Sequence, residues 1–255
     1  MNLAADLLRA LDPVALAPVV GMEPDPWQAG VLRSSSPRVL LNCARQVGKS
    51  TTAALLAVHV AVYEPGSLVL LLSPSQRQSA ELYRKGLAFY RALGRPVASE
   101  GENALSLALE NGSRIVSLPG TEATIRGYSG VRLLIVDEAA RVPDELMASV
   151  RPMLAVSGGR LVAMSTPWGK RGWWYEAWQH GGSHWDRVRI TAAECPRITA
   201  AFLEEERRSL GAWWYAQEYA CVFAEMVDQL FGTDHVRAAF TAEVRPLFPL
   251  PGGAS

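Results

Sequence analysis

Four short and almost continuous apolar runs constrain the fold of this chain more than any other feature. They are RVLLNC (38–43), SLVLLLS (67–73), RLLIVDE (132–138) and RLVAMST (160–166). Longer stretches with helical patterns alternate with them, at 49–63, 75–94 and 143–154. Apolar runs that end in small or polar residues are typical of strands buried on both faces of a parallel sheet. The alternation therefore predicts an α/β domain, with a mainly parallel sheet flanked by helices.

Two other stretches depart from this alternation. ALSLALENGSRIVSL (104–118) contains two segments of period-2 alternation joined by Asn111-Gly112, which is a typical hairpin sequence. We expect this hairpin to be an antiparallel insertion or to lie at an edge of the sheet. After about residue 195, the pattern predicts a small helical C-terminal extension, with two helices broken at Gly211 and then a short extended piece.

The length of 255 residues allows one large domain with a sizeable core. We assign residues 1–225 to this domain, and we expect residues 1–35 to be a helical segment that begins with a short amphipathic helix. Residues 226–255 contain scattered apolar residues and end in a stretch rich in Pro and Gly, which predicts a linker-like tail.

The charges and cysteines restrict the partners and the compartment. Lys and Arg number 25, as do Asp and Glu, so the formal net charge is zero. Contact with DNA would therefore require a local basic patch or several copies of the chain acting together. The three cysteines are widely spaced, which favours a reducing compartment over a disulfide framework. We find no signal peptide and no apolar run near the roughly 20 residues that span a bilayer, so we expect a cytosolic protein without membrane contact.

Residues 43–50, CARQVGKS, lie where a phosphate-binding loop would be expected, between an apolar strand and a helix. Such a loop needs inward-pointing backbone N–H groups, a helix N-terminus, a lysine for the outer phosphates and a hydroxyl for Mg²⁺. Gly48, Lys49 and Ser50 supply these parts in order, although Cys43 stands where the usual pattern has glycine. The alternative is a strand-to-helix turn capped by a serine.

A pair of carboxylates follows the third apolar run, at Asp137 and Glu138. Adjacent carboxylates at the end of a buried strand are costly unless their charge is used. In a P-loop enzyme, Asp137 would hold Mg²⁺, and Glu138 would activate the attacking water, which favours hydrolysis over kinase chemistry. A strand that ends in acids at a solvated loop is the alternative.

Two groups of polar residues near these motifs are further candidates. Ser165 and Thr166 follow the last apolar run, so their hydroxyls are expected at the carboxyl edge of the sheet, where ligands bind in open α/β folds. They either sense the terminal phosphate or merely close the strand in a hydroxyl-bonded turn. Gln28 precedes the first run, and its amide can donate and accept hydrogen bonds, which suits the edge of adenine.

Together these motifs resemble the ATPase domain of the large terminase subunit, the DNA-packaging motor of tailed bacteriophages. The resemblance covers about residues 24–223 and keeps the motifs in the order of that family. The matching stretches are WQAGVL, CARQVGKSTTAA, LVLLLSPSQRQSAELYRK, TIRGYSGVRLLIVDEAARV, LVAMSTPWGKRGWWYEAW and ECPRITAAFLEEERRSLGAWWYAQEYACVF. The resemblance implies a RecA-like P-loop NTPase fold of the ASCE class, ATP as the substrate and Mg²⁺ as the metal.

The resemblance also implies roles for single residues. The expected nucleotide-binding residues are Gln28, Ala44, Arg45, Gln46, Val47, Gly48, Lys49, Ser50 and Thr51. Glu138, Arg45 and Lys49 are the expected catalytic residues, and Ser50 and Asp137 the expected Mg²⁺ ligands. The family commonly carries an arginine at the position of Arg45, which is thought to reach the γ-phosphate.

Two further roles follow from the same resemblance. Ser165 and Thr166 match the coupling motif of the family, which links hydrolysis to DNA movement. Arg126, in a glycine-flanked loop before the third apolar run, is a candidate arginine finger for a neighbouring subunit. A surface arginine without a catalytic role is the alternative for Arg126.

By this resemblance, the chain is expected to power translocation of double-stranded DNA into a procapsid. The expected partners are DNA, the portal protein and the small terminase subunit. We expect a homo-oligomeric ring during DNA packaging and a monomer in isolation. The expected location is the cytoplasm of the host bacterium. No nuclease is expected here, because Asp228 and Asp234 in the tail have no sheet on which to converge. The alternatives are a truncated prophage remnant that binds nucleotide without motor activity, or a helicase-like ATPase.

Overall fold

The computed structural model of the chain describes residues 3–119, 127–225 and 239. Its helices are α1 (Leu3–Leu11), α2 (Pro26–Arg33), α3 (Lys49–Tyr63), α4 (Gln76–Ala92), α5 (Asp144–Val150), α6 (Gly172–His180) and α7 (Ala200–Glu218). Short 3₁₀ turns lie at Pro13–Val20, Ala139–Arg141, Arg151–Leu154 and Ala192–Glu194. None of the helices within these residues is both long enough and apolar enough to cross a membrane.

Eight strands form one sheet in the order β3-β4-β5-β2-β6-β7-β1-β8. The strands are β1 (Arg38–Cys43), β2 (Leu68–Ser73), β3 (Ser99–Glu102), β4 (Ser106–Leu109), β5 (Arg114–Pro119), β6 (Val131–Asp137), β7 (Arg160–Ser165) and β8 (Asp186–Ile190). From β5 to β8 every neighbouring pair is parallel, and only β3 and β4 run antiparallel to their neighbours. The predicted α/β architecture with a mainly parallel sheet is confirmed.

The four apolar runs are the central strands β1, β2, β6 and β7, each placed within one residue of its predicted bounds. Alternate side chains of these strands enter two separate cores. In β1, Leu41 and Cys43 pack in the core that contains α3. Leu40 points to the other face, into the core that contains Trp174 of α6. Apolar residues at successive positions are therefore required, because helices cover both faces of the sheet.

The predicted hairpin is present as β4 and β5, which pair in antiparallel fashion across the Asn111-Gly112 turn. Its second strand departs from the expectation of a peripheral insertion. Because β5 also pairs in parallel with β2, it belongs to the main sheet. The edge strands β3 and β8 were not predicted; their sequences, SEGE and DRVRI, contain charges that are typical of exposed sheet edges.

The C-terminal helical extension is present as α7, and its break lies where the sequence predicts it. Gly211 has φ 76° and ψ 164°, so the helix is interrupted there. The expected boundary between residues 225 and 226 stays a prediction, because the tail, including Asp228 and Asp234, lies outside the described residues except for Ala239.

The approach of Gly159 to β6 generates a prediction about stability. A Cβ atom at this position, directly before β7, would lie 1.9 Å from the carbonyl oxygen of Val131. We expect Gly159→Ala to lower the free energy of unfolding by about 1–3 kcal/mol, because the backbone must shift where β6 and β7 begin to pair. Urea denaturation of the purified chain measures this change.

Gly30→Ala is the matched control, since a Cβ atom at Gly30 in α2 would have no neighbour within 4 Å. This change should leave stability unaltered or raise it by up to about 1 kcal/mol, because alanine favours the helix. Equal stability of the two variants would contradict the close approach of Gly159 to Val131.

Candidate active site

The loop between β1 and α3 has the backbone of a phosphate-binding loop. Gly48 precedes the first turn of α3 with φ 99°, and Gln46 has φ 63°. Glycine is needed at position 48 because that φ is strained for other residues, and because a Cβ atom there would lie 2.7 Å from the Gln28 amide nitrogen. The N–H groups of the first turn of α3 provide the positive end of the helix dipole.

Cys43 has a structural place at the beginning of this loop. Its side chain is fully buried in the core beside α3. Burial raises the pKa of the Cys43 thiol to about 12, so the thiol is neutral and unreactive at physiological pH. A small apolar side chain is thus used where the common loop pattern has glycine.

The rest of the loop is fixed by elements that come much later in the sequence. The Ala44 amide donates to the Ile190 carbonyl of β8 at 2.9 Å. The Arg45 amide donates to the carbonyl of Glu218, at the end of α7, at 3.3 Å. Arg197 donates to the Val47 carbonyl at 3.1 Å. Three separate contacts therefore hold the loop between β8, α7 and the Arg197 segment.

Four predicted catalytic and metal-binding residues converge at the end of β6. The Ser50 hydroxyl lies 3.4 Å from Asp137 Oδ2, and Lys49 Nζ lies 3.5 Å from Glu138 Oε1. The side chains of Lys49 and Asp137 are almost fully buried. A hydroxyl and a carboxylate are hard oxygen donors of the kind that Mg²⁺ prefers, so this pair fits the predicted metal.

Asp137 is held in an unfavourable environment for a charged carboxylate. Burial raises the pKa of Asp137 above its ordinary value, while the positive charge of Lys49 lowers it in part. Oδ1 also accepts a hydrogen bond from the Glu138 amide at 2.9 Å, which fixes the orientation of the carboxylate. A divalent cation would supply the missing positive charge.

Glu138 is strained and doubly paired. Its φ of 49° and ψ of 43° place a non-glycine residue in the left-handed region, which costs about 1–3 kcal/mol. One carboxylate oxygen faces Lys49, and the other accepts a hydrogen bond from Arg141 Nη1 at 2.6 Å. The Arg141 guanidinium stacks on the ring of Trp168, 4.4 Å from its centroid.

Arg45 does not point freely into solvent. Its Nε donates to Glu218 Oε2 at 2.6 Å, and Arg141 Nη2 lies 3.8 Å from the other oxygen of Glu218. The Glu218 carboxylate is largely buried, and its hydrogen bond with Arg45 raises the pKa of the arginine above its already high value. The largely buried Glu218 carboxylate therefore joins the two arginines in one charged network.

Gln28 lies beneath the loop, with 3% of its surface exposed. Its Oε1 accepts from the Asp25 amide at 2.8 Å, and its Nε2 donates to Thr52 Oγ1 at 3.0 Å and to the Gly48 carbonyl at 3.4 Å. The amide thus connects α2 to the start of α3. The contact between Gln28 and adenine stays a prediction, and the structure provides a second role for this residue as a support for the loop.

Ser165 ends β7, which lies between β1 and β6, and Thr166 follows it directly. Both side chains are almost fully buried, and neither hydroxyl has a hydrogen-bond partner within the described part of the chain. Unpaired buried hydroxyls are uncommon in folded proteins. The parallel order places them between the phosphate loop and the carboxylate pair. The remaining candidate, Arg126, lies outside the described residues.

A cavity of about 680 Å³ lies against the loop and is lined by seven of the predicted residues. Its lining residues are Arg45, Gln46, Gly48, Lys49, Ser50, Thr51, Gln78, Lys85, Glu138, Arg141 and Arg197. Five of these side chains are basic and one is acidic, which suits a strongly anionic ligand such as a nucleoside triphosphate. The described residues contain no group of three His, Cys, Asp or Glu side chains able to hold a metal.

Sequence reasoning missed five residues of this site, namely Gln78, Lys85, Arg141, Arg197 and Glu218. Arg141 follows Glu138 within one short turn, so its proximity to the carboxylate could have been inferred. Arg197 and Glu218 reach the loop only through the tertiary structure, and no local pattern marks them.

The phosphate loop before α3 and the carboxylate pair at the end of β6 define the class of protein as a P-loop NTPase of the ASCE type. The chain belongs to the large-terminase-subunit family, because the model of that family, "Terminase large subunit, T4likevirus-type, N-terminal", matches residues 40–237.

Particular relatives agree with this assignment. The large terminase subunit of Escherichia phage T5 is 26% identical over 205 residues, which are 76% of this chain and 46% of that protein. The chain thus spans about half the length of this curated relative. The fold is similar to that of the Thermus phage P74-26 large terminase ATPase domain, with a TM-score of 0.72, 22% identity, and coverage of 81% of this chain and 96% of the other.

A second solved structure is also similar in fold. It is the large terminase from the thermophilic bacteriophage D6E in complex with ADP, with a TM-score of 0.59 and 12% identity. The similarity covers 85% of this chain and 52% of that protein.

The buried charge of Asp137 leads to a prediction about stability. Asp137→Asn should raise the thermal midpoint of the nucleotide-free chain at neutral pH, by roughly 2–4 °C for each kcal/mol gained, because a neutral group avoids the desolvation of the carboxylate. Thermal unfolding followed by circular dichroism in EDTA measures the shift.

The pH dependence of this gain has a defined sign. Because the pKa of Asp137 is raised in the folded chain, the unfolded chain loses the Asp137 proton at a lower pH than the folded chain does. The free energy of unfolding of the wild type therefore falls as the pH rises between these two pKa values. The advantage of Asp137→Asn should therefore be present at neutral pH and vanish below the ordinary carboxyl pKa of 3.8. Asp144→Asn, at an exposed carboxylate, is the control and should give no such gain. A destabilised Asp137→Asn variant would contradict the argument.

Proposed function

We propose that this chain hydrolyses ATP and powers the translocation of double-stranded DNA into a viral procapsid, as the ATPase domain of a large terminase. The observation that carries the proposal is the convergence of Lys49, Ser50, Asp137 and Glu138 around one phosphate loop. Membership of the terminase family supports the link to DNA packaging.

In this proposal, the phosphates of ATP lie on the backbone N–H groups of the loop from Gln46 to Thr51, because the amides of Ala44 and Arg45 donate to the carbonyls of Ile190 and Glu218. Lys49 neutralises the outer phosphates, and Arg45, Lys85 and Arg197 at the cavity wall add further positive charge. Ser50 and Asp137 would hold Mg²⁺, which when bound neutralises charge on the phosphate oxygens. The D6E protein of similar fold was solved with ADP, which supports nucleotide as the ligand.

Glu138 is proposed as the group that orients and deprotonates the attacking water. Its carboxylate borders the cavity, and its oxygens are fixed by Lys49 and Arg141. Arg45 is proposed to reach the γ-phosphate after leaving Glu218, because the 56% exposure of its side chain leaves room for a change of rotamer. Ser165 and Thr166 are proposed to pass the state of the nucleotide to the rest of the motor.

The partners belong to the same proposal. The chain would act on double-stranded DNA with the portal protein and the small terminase subunit, in the cytoplasm of the host bacterium. A formal net charge of zero suits a subunit that grips DNA as one member of a homo-oligomeric ring. Arg126 is proposed as the residue that reaches the neighbouring active site in that ring.

The roles of Lys49 and Glu138 are tested by ATP hydrolysis with and without double-stranded DNA. We expect Glu138→Gln to lower kcat by at least about 100-fold while ATP still binds, because the amide cannot accept the proton of water. Lys49→Ala should weaken ATP binding itself, because it removes the cation closest to the phosphates. Hydrolysis is best followed in single turnover, with protein in excess over radiolabelled ATP, so that slow rates are measurable.

Arg208→Ala is a suitable control, since Arg208 is an exposed basic residue of α7 outside the cavity lining. Equal hydrolysis by the wild type and by Glu138→Gln would refute the assignment of Glu138. A Glu138→Gln protein that cannot bind ATP would instead indicate a structural role for this residue.

The two roles of Gln28 predict different nucleotide preferences. If its amide contacts adenine, Gln28→Ala should weaken ATP binding more than GTP binding. If it only supports the loop, both nucleotides should bind more weakly by a similar factor, and the protein should lose about 1–3 kcal/mol of stability from the unpaired buried groups. Titration with both nucleotides, together with urea denaturation, separates the two roles.

A further inference from the structure

Arg141 occupies a central position between the proposed water-activating residue and the proposed coupling segment. It ends the short turn Ala139–Arg141, and its amide donates to the Glu138 carbonyl at 2.9 Å. This tight turn brings the guanidinium back onto the Glu138 carboxylate, where Nη1 donates to Oε2 at 2.6 Å. The side chain is only 26% exposed, so solvent screens this ion pair less than a surface pair.

The guanidinium is held from two other directions. Its face lies on the Trp168 ring, with the central carbon 4.4 Å from the ring centroid. Its Nη2 lies 3.8 Å from Glu218 Oε1. A planar guanidinium that stacks on an aromatic ring and binds a carboxylate at its edge has little rotational freedom. Arg141 can therefore hold one oxygen of Glu138 in a fixed place.

Trp168 belongs to the segment that follows β7, two positions after Thr166. A displacement of this segment would carry the ring away from the guanidinium, or press it closer. The chain Thr166–Trp168–Arg141–Glu138 is thus a short physical connection from the end of β7 to the carboxylate. It consists of a covalent segment, a cation–π contact and an ion pair.

We infer that Arg141 is a positioning residue that aligns the Glu138 carboxylate for water activation. Trp168 holds Arg141 in place, so the segment after Ser165 and Thr166 acts on Glu138 through the contact between Trp168 and Arg141. The inference rests on the proposed role of Glu138. It assigns Arg141 no direct contact with the phosphates, although this side chain also borders the cavity.

The test is a comparison of kcat, KM and ATPγS affinity among variants of the full chain in the single-turnover assay and in steady state. Arg141→Ala should lower kcat on the order of 10- to 100-fold, because a carboxylate displaced by about 1 Å loses its alignment with water. KM and ATPγS affinity should stay unchanged, because the lost interaction acts only on the chemical step. Arg141→Lys, which retains the charge, should recover part of kcat.

Trp168 provides the second arm. Trp168→Ala should lower kcat about 3- to 10-fold, in line with the loss of one cation–π contact. Trp168→Phe should remain close to the wild type, since it keeps an aromatic face. Arg171→Ala is the matched control: Arg171 also lies near the Trp168 ring, at 6.0 Å, so its loss should leave kcat unchanged if only the Glu138-bound arginine matters.

A double-variant cycle separates positioning from a structural effect. In the Glu138→Gln background, Arg141→Ala should cause no further loss of kcat, because the two residues act as one unit. Full kcat in Arg141→Ala alongside a defective Glu138→Gln would overturn this inference and leave the proposed function intact. Weaker ATPγS binding by Arg141→Ala at unchanged kcat would overturn it as well, and would make Arg141 a phosphate ligand. Unchanged kcat in Glu138→Gln would overturn both the proposed function and this inference.

Discussion

Parallel hydrogen bonding of β7 to β1 on one side and to β6 on the other determines where the candidate catalytic groups lie. All three strands point their carboxyl ends to the same edge of the sheet. The phosphate loop follows β1, the two hydroxyl residues lie at the end of β7, and the carboxylate pair lies at the end of β6. A change of register by one residue in β7 would exchange the side chains of its two faces and displace Ser165 from the loop. The geometry of the site is therefore a property of the sheet.

The same edge concentrates charge that the fold does not need for its own stability. Asp137 is buried beside Lys49, Glu138 has a strained backbone, and Glu218 is shared by two arginines. Each feature costs free energy unless paired, and strain of this kind is typical of functional sites. The two apolar cores on either side of the sheet supply the stability that offsets these costs. Burial of apolar residues therefore stabilises the fold, whereas the charged residues at this edge form the candidate site.

Much of the fold could be predicted because its central strands are buried on both faces and are therefore continuous apolar runs. Helix α3 begins and ends where the pattern predicts, since Gly48 and the strand before it limit the helix. The edge strands β3 and β8 escaped prediction because polar residues are tolerated where one side of a strand faces solvent. The role of Glu218 could not be predicted, because its contacts with Arg45 and Arg141 depend on how α7 approaches the sheet. Gln28 illustrates the remaining limit: its position was apparent, but its hydrogen-bond partners were not.

The burial of the thiols has a practical consequence for measuring motion in this protein. Cys43, Cys195 and Cys221 are all buried, and the pKa of the thiols of Cys43 and Cys221 is raised to about 12 by burial. Thiols of this kind react slowly with maleimides, because the reactive thiolate is scarce and access is blocked. A cysteine introduced on the surface, for example in the first part of α7, would thus be the preferred site for a fluorescent label. The native sequence is already close to a cysteine-free background for distance measurements between labelled positions.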